Sequence, residues 1–162
     1  MRETKTHIYF WGTWFSQWAK GVFEVDGVKY NCAEQYMMAE KARTFGDQDA
    51  LVRIMEAKDP DAQKFIGRRV KNYEDQIWKE KRYQVVKKAN LAKFSQIPAA
   101  KKFMKKSGNK IIVEGSPYDK IWGVGLHYKD DKILNEKNWR GENLLGKVLM
   151  EVRAELLGES NE

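Results

Sequence analysis

The residues whose types and spacing could do chemistry are Glu34 and Lys41, which lie seven positions apart. Seven residues is about two turns of an α-helix, so both side chains would lie on one helix face. Met37 and Met38 lie between them and are apolar. Burial disfavours the charged form of both groups, which raises the pKa of an acid and lowers that of an amine. The spacing therefore predicts a general acid beside a nucleophilic lysine.

A helix from about Cys32 to Phe45 would carry this pair, with Asn31 as its cap and Glu34 at the third helical position. Before it, Asp26-Gly27 predicts a β-hairpin over residues 23–30. The other predicted elements are strands at 8–11 and 110–114, and helices at 47–57, 60–67, 75–94, 98–107 and 142–157. Together they predict an α+β fold, a compact, mostly helical single domain over residues 1–162 with a small β-sheet and a polar tail from about 158.

The charge of the chain is unevenly placed. It has 162 residues, 30 basic and 23 acidic, for a net charge of +7. Residues 64–110 hold 15 basic and 3 acidic residues, net +12, whereas residues 1–63 and 111–162 carry −2 and −3. This segment is either a set of solvated helix faces or a surface for phosphates or nucleic acid, and both interpretations stay open.

Several protein classes are disfavoured by what the sequence lacks. No run reaches the roughly 18 apolar residues that span a bilayer, so no membrane association is expected. The first six residues are polar, unlike a signal peptide, and Cys32 is the sole cysteine, so a cytoplasmic location is expected. Two histidines and one cysteine far apart argue against a zinc site. We therefore expect no metal and no cofactor.

Six tryptophans supply flat aromatic surfaces. Trp11-Gly12 and Trp122-Gly123 each put an aromatic ring beside a residue that allows close backbone approach. Such rings stack on purine and pyrimidine bases. Packing in the core is the alternative for every tryptophan, and it is the expectation for Trp78 in its helical segment.

Two loops carry further candidates. Asp119 lies on a glycine-rich loop after a predicted strand, a common place for site residues, although it could instead cap a turn. Gly123-x-Gly125 lacks the third glycine of a dinucleotide fingerprint, which excludes a Rossmann fold. Arg140 precedes the last helix and could bind phosphate together with the helix N-terminus, or lie on the surface. The sequence has no P-loop, nucleophile elbow or catalytic Cys–His spacing, which excludes the common kinases and hydrolases.

These motifs, taken in order, resemble the NADAR family, also called the YbiA-like N-glycosidases, nearly from end to end. The blocks that carry the resemblance are Phe15-Ser16-Gln17-Trp18, Tyr30 to Met38 with Lys41-Ala42, Phe45-x-Asp47, Asp59-Pro60 with Lys64, Gly67-Arg68, Trp78, Lys93-Phe94, Glu114 to Asp119, Trp122-Gly123-x-Gly125, Trp139-x-Gly141-x-Asn143-x-Leu145-Gly146, Leu149-Met150 and Arg153.

The resemblance implies a YbiA-like α+β fold and cleavage of the N-glycosidic bond between a ribose and a base nitrogen. It implies two substrate types: phosphoribosylated aminopyrimidine intermediates of riboflavin synthesis, and ADP-ribose attached to guanine in nucleic acid. Carried over by motif, the functional positions are Glu34, Lys41, Asp119 and Trp122, with Trp11, Gly12, Phe15, Ser16, Trp18, Trp139 and Asn143 around the pocket. The loop arguments above add Gly123 and Arg140 as binding residues.

In the favoured mechanism Lys41 attacks C1′ and forms a Schiff base with the opened ribose, while Glu34 exchanges protons with the sugar or the leaving nitrogen. Asp119 would hold a ribose hydroxyl or stabilise positive charge, and Trp122 or Trp11 would stack on the base. A direct alternative uses Glu34 and Asp119 as a carboxylate pair around an oxocarbenium-like state. The rival from another class is a non-catalytic ADP-ribose or nucleic-acid binding module, with nucleic acid as a partner of residues 64–110.

Overall fold

The secondary structure follows the local sequence signals, and the computed structural model describes residues 1–158. Six α-helices and two small sheets in this part of the chain confirm the predicted α+β class. Two 3-10 turns, at Asp131–Leu134 and Glu136–Asn138, were not predicted. The elements are β1 (Arg2–Glu3), β2 (His7–Phe10), β3 (Phe23–Val25), β4 (Val28–Tyr30), α1 (Ala33–Thr44), α2 (Gln48–Glu56), α3 (Pro60–Gly67), α4 (Asp75–Gln96), α5 (Pro98–Lys106), β5 (Ile111–Glu114) and α6 (Leu144–Leu157).

The chain forms two compact units. The central unit is Gln17–Ile97, and the terminal unit combines Met1–Ser16 with Pro98–Glu162. The description of residues 1–162 as one domain stays a prediction, and the polar tail predicted from about 158 lies, beyond Gly158, outside the described residues. Within residues 1–158, none of the helices has the length and apolar character needed to cross a membrane.

Helix α1 is the core of the central unit. It packs against α2, α3 and α4, and eight of its twelve residues are buried. The approach of α3 depends on Gly67, because a Cβ at this position would collide with the Met38 side chain. A helix enclosed by three others has little solvent-facing surface, so its polar side chains are desolvated along with its apolar ones.

The predicted β-hairpin is confirmed. Asp26 and Gly27 have φ angles of 51° and 81°, the left-handed pair that a two-residue type I′ turn requires. Strands β3 and β4 pair antiparallel, and β3 packs on α4. The Gln96 side chain stabilises this contact with two hydrogen bonds. Its Oε1 accepts from the Glu24 N–H at 2.7 Å, and its Nε2 donates to the Glu24 carbonyl at 2.8 Å.

The predicted cap of α1 is wrong by one residue. Cys32, not Asn31, is the N-cap, so Glu34 occupies the second helical position rather than the third. The Asn31 side chain is used elsewhere: its Oδ1 accepts from Gln63 Nε2 at 3.0 Å, and its Nδ2 donates to the Ala57 carbonyl at 3.4 Å. These long-range hydrogen bonds compete with the local capping bond that the sequence favours.

The terminal unit is built on a three-stranded sheet in the order β1-β2-β5. Strands β1 and β2 pair antiparallel, whereas β2 and β5 pair parallel. Helix α6 packs on β5, and α5 packs on α6. One hydrophobic cluster of this unit consists of Tyr9, Val113, Val124, Leu126 and Ile133.

Asn143 fixes the start of α6, which begins at Leu144 rather than at the predicted residue 142. Its backbone is left-handed with φ 52°, a conformation that asparagine tolerates better than most residues. Its side chain is buried: Oδ1 accepts from the Glu114 N–H at 3.0 Å, and Nδ2 donates to the Ile112 carbonyl at 3.0 Å. One amide therefore ties the beginning of α6 to β5.

We expect Asn143→Ala to lower the free energy of unfolding by about 2–4 kcal/mol, because it leaves a backbone donor and a buried acceptor unpaired. Asn72→Ala is the matched control: Asn72 also has a left-handed backbone, with φ 63°, but it is exposed. Urea unfolding followed by circular dichroism measures both variants. Equal losses would mean that backbone strain, and not the two hydrogen bonds, accounts for the effect.

Candidate functional site

The central unit places Glu34 and Lys41 on the same buried helix. Glu34 is 7% exposed, and its backbone N–H donates to the Gln17 carbonyl at 3.0 Å. Lys41 is half-buried, with its Nζ 4.7 Å from the centre of the Tyr73 ring. The Glu34 carboxylate acts electrostatically on the Lys41 amine. The structure thus brings together the two residues whose spacing predicted an acid–amine pair.

The prediction that burial lowers the pKa of Lys41 is confirmed. Desolvation is the largest cause, because the ammonium loses water on entering the helix packing. The Glu34 carboxylate opposes this shift, and the Arg68 guanidinium adds to it. The net pKa is lowered, so more of the amine is neutral near physiological pH and available as a nucleophile.

Helix α4 contributes a fully buried lysine, Lys93, which sequence reasoning did not include among the site residues. Its side chain is 0% exposed, and desolvation lowers its pKa to about 7. Burial raises the pKa of the Cys32 thiol to about 11, and this thiol also senses the charges of Glu34 and Lys93. Lys93 therefore lies near the N-terminus of α1. A strongly shifted pKa of this kind marks a candidate functional residue.

The side-chain amides of Gln17 and Asn90 form a pair, and the Gln17 backbone carbonyl also accepts from the Glu34 N–H. Asn90 Nδ2 donates to Gln17 Oε1 at 2.8 Å and to the Val86 carbonyl at 2.8 Å. Within residues 1–158, Asn90 Oδ1 and Gln17 Nε2 are buried and have no hydrogen-bond partner. One is an acceptor and the other a donor, so the pair can bind a group that offers both. The spacing of Asn90 and Lys93 places both on one face of α4, but such a local signal does not show how deeply the face is buried.

Trp18 is the remaining predicted site residue of the central unit. Its side chain is 42% exposed, and Lys64 Nζ lies 5.8 Å from its ring centre. It thus keeps a solvent-accessible aromatic surface beside a cation. Its contact with substrate stays a prediction.

In the terminal unit, Asp119 caps a turn. Its Oδ1 accepts from the N–H groups of Ile121 and Trp122 at 2.9 and 2.8 Å, which is the structural alternative considered for this residue. Gly123 is closely packed, because a Cβ there would lie only 3.0 Å from the carbonyl oxygens of Asp119 and Glu114. The catalytic role of Asp119 and the binding roles of Trp122 and Gly123 stay predictions.

Trp11 belongs to an exposed aromatic cluster. Its ring centre lies 5.7 Å from that of Tyr118, which is 85% exposed, and 5.3 Å from that of His127. Gly12 follows with φ 107°, which residues with a side chain rarely adopt. The cluster offers surface for stacking, while base binding by Trp11 and Gly12 stays a prediction.

Phe15 and Trp139 pack within the terminal unit. Phe15 is fully buried, with its ring centre 5.4 Å from Phe10 and 4.9 Å from Phe103. Trp139 packs against the hydrophobic cluster, and its Nε1 donates to the Ile133 carbonyl at 2.8 Å. Both side chains therefore support the fold, and their predicted contact with substrate stays a prediction.

The other predicted binding residues are Ser16, Arg140 and Asn143. The Ser16 N–H donates to the Thr13 carbonyl at 3.1 Å, and the Arg140 N–H donates to the Val124 carbonyl at 2.8 Å, with the Arg140 side chain exposed. Asn143 uses both ends of its amide on β5, as described above. Substrate or phosphate binding by these three stays a prediction. Residues 1–158 contain no grouping of three or more metal-ligating side chains.

The buried Lys93 makes stability depend on pH. Its folded pKa, about 7, lies below the 10.5 of an unfolded lysine, so the unfolded chain binds more protons between these values. The free energy of unfolding should therefore rise with pH through this window, on the order of 1 kcal/mol per pH unit. The penalty from Lys93 is largest below about pH 7 and disappears above about 10.5.

We expect Lys93→Met to remove this slope, as measured by urea unfolding at several pH values across the window. Lys81→Met is the control, because Lys81 is exposed on the same helix. A variant that keeps the wild-type slope would show that another group titrates there.

Similarity to known proteins extends over nearly the whole chain. The sequence profile of the NADAR domain matches residues 9–157. The "N-glycosidase R617" of Acanthamoeba polyphaga mimivirus is 42% identical over 94% of this chain and 98% of its own length. The "Riboflavin biosynthesis protein PYRR, chloroplastic" of Arabidopsis thaliana is 29% identical over 80% of this chain but only 20% of its own length.

The structural likeness agrees with the sequence match. The "N-glycosidase YbiA" of Escherichia coli is 30% identical over 88% of this chain and 80% of its own length. Its NMR structure aligns with a TM-score of 0.79 over 99% of this chain and 90% of that one, at 28% identity. The fold resemblance to YbiA is thereby confirmed, and the chain belongs to the NADAR domain family.

Proposed function

We propose that this chain is an N-glycosidase that hydrolyses the bond between a ribose and the nitrogen of a base. The observation that carries the proposal is a buried glutamate, Glu34, acting on a lysine of lowered pKa, Lys41, on one helix. Similarity over nearly full length to proteins named N-glycosidases in a virus and a bacterium supports it.

Lys41 is the nucleophile of the proposed reaction. The Lys41 ammonium first gives a proton to the Glu34 carboxylate. The neutral amine then attacks C1′ of the ribose as Glu34 passes that proton to the leaving nitrogen, so the C1′–N bond breaks and a Lys41–C1′ bond forms. The attached amine then loses a proton, which the ring oxygen takes up as it leaves C1′, and this gives a protonated imine with the opened sugar. Water adds to C1′ and displaces the amine, releasing the sugar and regenerating Lys41.

Burial of Lys41 increases the fraction of neutral amine that this reaction requires. A fully protonated lysine has no lone pair, and the desolvation that lowers the pKa of Lys41 increases the reactive fraction. Arg68 adds to the effect, whereas Glu34 limits it. The same pairing lets Glu34 take the proton of the attacking amine and pass it to the leaving group.

A direct route is the competing mechanism. There Glu34 assists departure of the base, and water attacks an oxocarbenium-like ribose with no covalent bond to Lys41. Lys41 would then act only through its charge. Arginine keeps the charge but cannot form the imine, so it separates the two routes.

Two substrate classes are proposed for this chemistry. The name of the Arabidopsis relative supports a phosphoribosylated aminopyrimidine of riboflavin synthesis. The net charge of +12 over residues 64–110 favours a polyanion, hence ADP-ribosylated guanine in nucleic acid and a role in reversing ADP-ribosylation. A protein that binds either compound and leaves it intact would instead be a binding module.

Glu34→Gln should lower kcat by about 10²–10⁴, because it removes general acid–base catalysis. The assay offers each substrate to the purified protein and measures release of base and sugar by mass spectrometry. Glu40→Gln is the control, since Glu40 lies on the same helix but pairs with Arg43 at 2.7 Å. Equal rates for wild type and Glu34→Gln would rule out the assigned role.

Lys41→Arg should abolish turnover if the imine route operates, and reduction with borohydride during turnover should link the sugar to Lys41 of the wild type. The adduct is located by peptide mass spectrometry. The low-pH limb of the kcat/KM profile should also lie below the usual lysine range, as the lowered pKa requires. An active Lys41→Arg enzyme with no adduct in the wild type would favour the direct route.

A further inference from the structure

A groove on the central unit is not explained by the chemistry of Glu34 and Lys41. It has a volume of about 620 Å³, which exceeds what a single phosphate needs and lies within the range of nucleotide-sized sites. We call it the α3 groove, because most of its wall comes from that helix and the residues after it. Its lining residues are Trp18, Asp61, Lys64, Phe65, Arg68 and Arg69.

Two exposed aromatic rings line the α3 groove. Trp18 is 42% exposed and Phe65 is 54% exposed. A cation accompanies each ring: Lys64 Nζ lies 5.8 Å from the Trp18 ring centre, and the Arg69 guanidinium lies 3.6 Å from that of Phe65. Exposed rings that line one groove form a patch of the kind that marks a binding site, and flat rings beside cations are the surfaces on which unpaired bases stack.

The α3 groove also carries unneutralised positive charge. Lys64, Arg68 and Arg69 face a single carboxylate, Asp61. None of the three cations forms an ion pair among the described residues. Lys64 and Arg68 are four residues apart, which corresponds to about 6 Å along the helix axis at the rise of an α-helix. The charge is therefore available to more than one phosphate of an extended ligand.

The groove is linked electrostatically to the proposed nucleophile. Arg68 lines the groove and also acts electrostatically on the Lys41 amine. A ligand held in the α3 groove would therefore contact a residue whose charge acts on Lys41. Arg68 thus relates the groove to the proposed reaction, although the groove residues themselves take no part in the chemistry.

We propose that the α3 groove binds single-stranded nucleic acid, with unpaired bases on Trp18 and Phe65 and phosphates on Lys64, Arg68 and Arg69. Two separate rings suit successive bases of a strand, whereas a mononucleotide has one base to stack. A duplex does not present its base faces, which excludes double-stranded ligands. This proposal rests on the proposed function, because the bound strand would present a ribosylated base to Lys41.

The test measures binding of a fluorescein-labelled, unmodified single strand of about a dozen nucleotides by anisotropy at several salt concentrations. Lys64→Gln with Arg69→Gln should reduce the salt slope by about 1.4, the value for two phosphate contacts to a single strand. Phe65→Leu should weaken binding about tenfold, as loss of one stacked base does. Circular dichroism establishes that each variant is folded.

The matched control is Lys102→Gln with Lys105→Gln, which removes the same charge from exposed positions on α5 that do not line the groove. An unchanged slope in the control supports the groove. An equal decrease in both double variants would mean that net charge alone attracts the strand, and the proposal would be wrong. Equal affinity for a duplex, or for ADP, would also overturn it.

Binding of an unmodified strand involves no glycosidic bond, so this result is independent of catalysis. A protein that binds the strand through the groove but releases no base has a nucleic-acid site and lacks the proposed activity. A protein that cleaves a ribosylaminopyrimidine phosphate but binds no strand has the activity, and the groove proposal fails.

Discussion

The enclosure of α1 by α2, α3 and α4 is the constraint on which the central unit depends. Packing on three sides removes water from the apolar residues of α1 and from Glu34, and it removes part of the water around the amine of Lys41. Desolvation of charged groups costs free energy unless they pair or become neutral, and here the pKa of Lys41 falls. The packing that stabilises the helix thus also prepares its lysine for reaction, so stability and reactivity have one physical cause.

Helix α3 links this packing to the surface. Its buried side approaches α1 at Gly67, where Met38 occupies the space of a side chain, and the next residue, Arg68, senses Lys41. Its other side carries Lys64 and Phe65 into the groove. A short helix can serve both sides because positions three or four residues apart share a face, while neighbours in sequence point in different directions.

Local signals predicted the elements well. The Asp26-Gly27 turn and the start of α3 at Pro60 depend on backbone preferences of one or two residues, and both are confirmed. Signals that compete with distant groups were less informative: the Asn31 cap failed because Gln63 binds that side chain. Lys93 was missed because its burial comes from tertiary packing that no local pattern contains. The lowered pKa of Lys41 was predictable. The seven-residue spacing places Lys41 on the same helix face as Glu34 and the apolar Met37 and Met38, and burial of that face desolvates the amine.

Protonation of the buried Lys93 changes the charge in the interior of the central unit. Burial lowers the pKa of Lys93 to about 7, so a charged and a neutral form of the unit interconvert nearer to neutral pH than for an ordinary lysine. They differ by one charge in the interior, near Cys32 and the first turn of α1. A change in acidity therefore alters the internal charge of the central unit without any ligand.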